Sequence, residues 1–154
     1  MNGGVKMSIF ESALQGLKKY ADFKGRASRE EFWAFLGLVI VLQAVAGFVG
    51  LLFRAGPMLS GLVGLLLIIP QLAVAVRRLH DVGKSGTLLV VPCIMLLALP
   101  LAFTFRGILP QIVALGVLGM TLIVFANLLR LFLKKGSTVP NKYGGAPTAF
   151  SFAS

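Results

Sequence analysis

The chain alternates between long stretches that carry no charge and short stretches that carry nearly all of it. Four stretches contain no Asp, Glu, Lys, Arg or His: Phe32–Phe53, Ala55–Val76, Ser85–Phe105 and Gly107–Leu129, of 22, 22, 21 and 23 residues. A helix rises ~1.5 Å per residue, so each stretch reaches ~32–35 Å and matches a hydrocarbon core of ~30 Å. Apolar runs of ~10–14 residues would instead predict buried helices of a soluble domain. Single arginines, Arg54 and Arg106, divide the runs within each pair. One helix across both runs of the first pair would be ~67 Å long, with an arginine midway costing ~2.5–3.5 kcal/mol at the bilayer centre. Arg54-Ala55-Gly56-Pro57 reads better as a tight turn, because glycine frees the backbone and Pro57 cannot donate to a continuing helix. Arg106-Gly107-Ile108-Leu109-Pro110 repeats the pattern. The pattern predicts an all-α membrane protein with four transmembrane helices in two hairpins, over 32–53, 55–76, 85–105 and 107–133.

Three polar pieces flank this 32–133 domain: an arm over 1–31, a loop over 77–84 and a tail over 134–154. In the arm, Phe10, Leu14, Leu17 and Tyr20 share a face at helical spacing, with Lys18 and Lys19 near the end. This predicts a short amphipathic N-terminal helix over Ser8–Tyr20, lying on the membrane surface or packed against the other polar pieces. Met7 is an alternative start to Met1. A cleaved signal peptide fits poorly, because the first apolar run is longer than a ~7–15-residue signal core and no small-residue cleavage site follows it. Ser28-Arg29-Glu30-Glu31 forms an S-x-x-E capping box before the first span. Ser28 should accept from the Glu31 N–H while the Glu31 side chain reaches back. Trp33 then falls at head-group level. Gly83 and Gly136 are expected helix stops, and the tail from Thr148 to Ser154 is expected to be mobile.

Charge sets orientation. Lys6, Lys18, Lys19, Lys24, Arg26, Arg29, Arg77, Arg78, Lys84, Arg130, Lys134, Lys135 and Lys142 lie on one side of the predicted spans, and only Arg54 and Arg106 lie on the other. Basic residues near span ends stay cytoplasmic, so both termini are expected in the cytoplasm. All five acids share that side. The net charge of +10 would also suit nucleic acid, but here the basic residues lie between apolar runs. That arrangement points to anionic lipid head groups and excludes nucleic acid as the expected partner. Charged residues make up 13% of the chain against ~25% in soluble domains, which agrees with a surface facing lipid.

Within the membrane, Gln43, Gln71 and Asn127 are expected to hydrogen-bond between helices, or else to line a path. No acid or base lies mid-span, which argues against a proton-coupled pump. Pro70, Pro92 and Pro100 predict kinks, and Ala46/Gly50 and Ser60/Gly64 offer close-packing faces. Cys93 lies inside an apolar run and reads as a small buried hydrophobe.

The candidate chemistry concentrates in Arg77-Arg78-Leu79-His80-Asp81-Val82-Gly83-Lys84-Ser85-Gly86. If the second helix continues to Asp81, Arg77 can pair with Asp81 at i, i+4. Gly83-Lys84-Ser85 matches the end of a phosphate-binding loop, but Arg78 stands where that motif needs glycine, and a transmembrane helix precedes it where the motif needs a strand. His80 is the only histidine, and with Asp81 or Glu30 it would make a general base. No activated serine or cysteine nucleophile and no metal-ligand cluster accompanies it, so neither a catalytic residue nor a metal or cofactor is assigned.

Three segments together resemble a known family: Phe23-Lys24-Gly25-Arg26-Ala27-Ser28-Arg29-Glu30-Glu31-Phe32-Trp33, then Pro70 with Arg77 through Gly86, then Asn141-Lys142-Tyr143-Gly144. They are similar to small bacterial inner-membrane proteins of the YhaH/YhaI type, a family of unknown function, over roughly residues 8–147. Thr87 departs from the aromatic that such relatives often carry. The resemblance implies a bacterial inner-membrane location and no reaction. The expected function is therefore a non-enzymatic membrane module whose basic cytoplasmic face binds an anionic lipid head group or a protein partner. Its candidate site is Arg26, Arg29, Arg77, Arg78, His80, Asp81, Lys84, Asn141 and Tyr143. Arginine suits that role through bidentate donation to phosphate or carboxylate. The alternatives are a small oligomeric transporter or channel, and an enzyme at the membrane interface using His80.

Overall fold

A computed structural model describes residues 9–54, 57–102, 104, 105, 107–145 and 147. The choice between Met1 and Met7, Lys6, Ala55 and Gly56 of the first turn, Arg106 and the tail from Thr148 lie outside the described residues, as does the Phe10 side chain. The regular elements among the described residues are helices: α1 (Ile9–Lys18), α2 (Arg29–Leu52), α3 (Pro57–Asp81), a 3-10 turn (Gly86–Leu89), α4 (Val90–Ala102) and α5 (Ile108–Leu133). Helices α2 and α3 pack as one hairpin and α4 and α5 as another. Between hairpins, α3 touches α5 and the 3-10 turn.

Among the described residues, three helical stretches are long and apolar enough to cross a membrane: Arg29–Leu52, Met58–Asp81 and Ile108–Leu133, of 24, 24 and 26 residues. The third predicted span is shorter than expected. Its apolar helical stretch runs Gly86–Leu101 and has 16 residues. It opens as a 3-10 turn, with the Ser85 hydroxyl accepting from the Thr87 N–H at 3.3 Å. A 3-10 turn rises ~2.0 Å per residue, so it lengthens this helix slightly. Pro92 falls in the first turn of α4, and its missing N–H leaves the carbonyls at the end of the 3-10 turn without that donor.

Pro70 is different, because it sits inside α3 and is fully buried. Its missing N–H leaves the carbonyl four residues back, Leu66, without a helical donor. The Tyr20 hydroxyl donates to that carbonyl. This bond ties the segment after α1 to the middle of α3. Helix α1 packs on α2 with Ser12, Ala13 and Gly16 buried. A Cβ at Gly16 would lie 2.2 Å from the Phe35 ring, so close approach demands glycine there. The amphipathic helix packs on the helical hairpin, against α2 and α3. Its buried face is the small-residue one, and Leu17 is partly buried against the core.

Burial is uneven. Phe35, Val74, Leu79, Arg77, Arg78 and Pro70 are the largest fully buried side chains among the described residues. Most are gathered where α2 begins and α3 ends. Further along the hairpins, Phe53 is 77% and Leu97 79% exposed. Side chains of this kind need an apolar surrounding, which lipid provides. The small residues Ala46 and Gly50 are buried, and Gly64 lies against the Gln43 amide.

Candidate functional site

The polar end is built by helix termini. Ser28 caps α2, its hydroxyl accepting from the Glu31 N–H at 3.0 Å as the capping box predicts. Glu31 does not complete that box. Its Oε1 instead accepts from Arg77 Nη1 at 2.8 Å, with both side chains buried. At the end of α3, Gly83 takes φ +74. The Gly83 and Lys84 N–H groups donate to the His80 and Leu79 carbonyls at 3.0 and 2.9 Å. That is the double bond of a glycine-terminated helix.

The helix end thus holds Asp81 at the centre of the knot. Its Oδ1 accepts from Arg26 Nε at 3.0 Å and Nη2 at 2.8 Å, and its Oδ2 accepts from Arg78 Nη1. The expected Arg77–Asp81 pair is replaced by Arg78–Asp81 at i, i+3, because Arg77 turns to Glu31 across the hairpin. The rest of both guanidinium groups goes to backbone. Arg78 donates to the Phe132 carbonyl at 3.2–3.3 Å and to the Lys134 carbonyl, covering the C-terminal end of α5. Those carbonyls have no helical donor of their own, and a cation suits the negative end of a helix. Arg26 donates to the carbonyls of Ser137, Val139 at 3.0 Å and Gly144 at 3.3 Å. The Ser137 N–H returns a bond to the Asp81 carbonyl at 3.1 Å. Arm, loop and tail are therefore fastened around one carboxylate.

Gly136 was expected only as a helix stop. A Cβ there would lie 1.9 Å from Asp81 Oδ2, so close passage of the tail is the stronger requirement. His80 stacks flat on Tyr143, with centroids 3.8 Å apart and planes at 5°. Its Nδ1 lies 3.1 Å from the Gly25 carbonyl. A carbonyl only accepts, so Nδ1 carries the proton. Asn141 supports the stack, donating to the His80 carbonyl at 3.0 Å and accepting from the Tyr143 N–H at 2.9 Å.

The candidate residues thus divide into two groups. Arg26, Arg77, Arg78 and Asp81 are buried in ion pairs, and His80, Asn141 and Tyr143 are half-buried beside them. Arg29 and Lys84 remain exposed, Arg29 only 3.8 Å from Glu30. Arg130, Lys134 and Lys135 are also exposed, and among the described residues neither they nor Lys84 form an ion pair. The cluster buries three guanidinium groups against two carboxylates. Arg77 Nε and Nη2 are buried with no hydrogen-bond partner among the described residues. Gln43, Gln71 and Asn127 do not share a cavity: Gln43 abuts Gly64, Asn127 donates to the Ile123 carbonyl of its own helix at 2.9 Å, and Gln71 lines a cleft between the hairpins.

Residues 20–145 match the model of a family described as protein of unknown function, DUF805. The chain belongs to the DUF805 family. The matched region takes in every residue of the knot. The DUF805 chain is 39% identical over 98 residues to inner membrane protein YhaI of Escherichia coli K12, covering 61% of this chain and 83% of that relative. It is 38% identical over 78 residues to inner membrane protein YhaH of the same strain, covering 47% and 64%. The uncharacterized protein YiiR of that strain is 37% identical over 128 residues, covering 79% and 83%. No solved structure matches this DUF805 chain significantly. With relatives named as inner membrane proteins and three spanning-length apolar helices, it is an integral membrane protein.

Proposed function

We propose that this protein is a non-enzymatic module of the bacterial inner membrane that binds anionic phospholipid head groups through the free cations of its cytoplasmic face. In this reading both hairpins span the bilayer, giving four crossings with both termini in the cytoplasm. The short α4 crosses with its 3-10 extension, and local thinning of the bilayer accommodates the mismatch. The basic count on the two sides supports the orientation.

The division of cations carries the reading. Arg26, Arg77 and Arg78 are committed to carboxylates and backbone carbonyls, so they act as a clasp. Lys84, Arg130, Lys134 and Lys135 are exposed at the same end of the molecule without an ion pair among the described residues, and Arg29 is exposed beside Glu30. Each basic residue near an anionic membrane surface is worth ~1 kcal/mol of attraction, so several at one end make a head-group site without any further pocket. Catalysis by His80 is disfavoured, because Asp81 is held by two arginines and the imidazole is held by Gly25 and Tyr143. The scatter of Gln43, Gln71 and Asn127 counts against a polar conduction path.

Purified full-length protein tests this. Phosphatidylglycerol should be retained through detergent exchange in preference to phosphatidylcholine, and the combined Lys84→Gln, Lys134→Gln and Lys135→Gln variant should lose the preference while staying folded. Equal retention of both lipids by the unmodified protein would remove the proposal. A reporter fused after Ser154 should be active only in the cytoplasm, and one in the turn after Arg54 only in the periplasm.

A further inference from the structure

A cleft of about 580 Å³ separates the two hairpins. Its wall comes from α2, α3, the 3-10 turn, α4 and α5 and is almost wholly apolar, with Gln71 as its one amide. Phe32, Trp33 and Phe132 line its polar end, and Cys93 and Leu97 line it deeper along α4. The volume lies within the ~300–1,000 Å³ range of ligand sites. A helix ~10 Å across and ~5.4 Å per turn would nearly fill it with a single turn, whereas one extended acyl chain is slender enough to run along it. The polar end is basic. Arg29 precedes Phe32 and Trp33 by one helical turn, Lys134 and Lys135 follow Phe132 by two and three residues, and Arg78 donates to the carbonyls at the end of α5. An occupant with an apolar tail and an anionic head matches both parts.

We infer that the cleft between the hairpins seats one acyl chain of an anionic glycerophospholipid, with its phosphate at the rim formed by Arg29, Lys134 and Lys135. The inference rests on the head-group reading above and adds a defined place for the lipid. It makes the lipid a wedge between hairpins that touch each other little along the membrane.

Trp33 is the only tryptophan of the chain and lines the cleft, so it reports occupancy directly. Full-length protein in phosphatidylcholine nanodiscs, doped with phosphatidylglycerol or phosphatidylcholine brominated on its chains, gives the measurement. Brominated phosphatidylglycerol should quench Trp33 at the lower mole fraction. The combined Lys134→Glu and Lys135→Glu variant, altered only at exposed positions, should shrink that advantage by at least about five-fold for each charge. Cys93→Phe, which narrows the slot, should protect Trp33 from both lipids. Equal quenching by the two head groups, or quenching unchanged by Cys93→Phe, overturns the assignment. If native mass spectra still show bound phosphatidylglycerol in that case, the head-group reading survives and only the slot falls. No bound phosphatidylglycerol removes both. Protection of unmodified Trp33 from both lipids, with a dimeric mass, would give the cleft to a second copy and overturn the lipid assignment.

Discussion

At the polar end Arg77 and Arg78 are 1% and 0% exposed, while along the hairpins Leu65 and Leu97 stand 67% and 79% exposed. The usual arrangement of a soluble domain is inverted. Lipid solvates the leucines, so they gain little by packing. The arginines lie where arm, loop and tail meet, and their donors hold together backbone that no helix or sheet would organise. The two regions therefore differ in what resists unfolding: specific charge geometry at one end, and burial in the bilayer along the other.

The sharpest way to break this comparison is Asp81→Ala. It leaves Arg26 and Arg78 buried without their carboxylate, and loss of one partner from a buried ion pair costs ~3–5 kcal/mol. Thermal unfolding in detergent should fall sharply, or the protein should fail to accumulate, whereas Leu97→Ala should shift stability by less than ~0.5 kcal/mol. Similar shifts for the two would end the contrast. Gly136→Ala comes next. Its methyl must displace the Asp81 carboxylate, and overpacking of this kind costs ~1–3 kcal/mol.

The smallest effect tests the link between the regions. Tyr20→Phe should cost ~1 kcal/mol by leaving the Leu66 carbonyl without its donor. In a Pro70→Ala background the residue 70 N–H serves that carbonyl, so the same change should cost close to nothing. A double-mutant cycle with no coupling would mean that Tyr20 does not answer Pro70.

Much of the fold was readable because lipid imposes a simple rule. Charge-free runs of more than 20 residues must become helices that satisfy their own backbone, and α2, α3 and α5 follow it. The third run was overestimated, since the pattern marks where charges are absent and says little about where hydrogen-bonded turns begin. At the site, the candidate residues were recognisable by type, and Ser28 and Gly83 by local capping rules. Their partners were not. Arg77 and Arg78 are neighbours in sequence but face different helices, and helical spacing alone favoured the wrong pairing with Asp81. Glu31 fitted a local cap equally well. Gly136 and Tyr20 carried readable hints, a glycine after a helix and a proline lacking an N–H four residues beyond Leu66. Their counterparts are 55 and 46 positions away.

The sequence by itself determined which segments meet lipid, because hydrophobic length is a local property that solvent tests residue by residue. It also determined that charge gathers in three short pieces. Only the tertiary structure decided that Arg26, Arg77 and Arg78 turn inward to carboxylates and carbonyls while Lys84, Lys134 and Lys135 stay exposed. That choice depends on which helix ends converge on Asp81, and convergence is a property of packed backbones rather than of spacing along the chain.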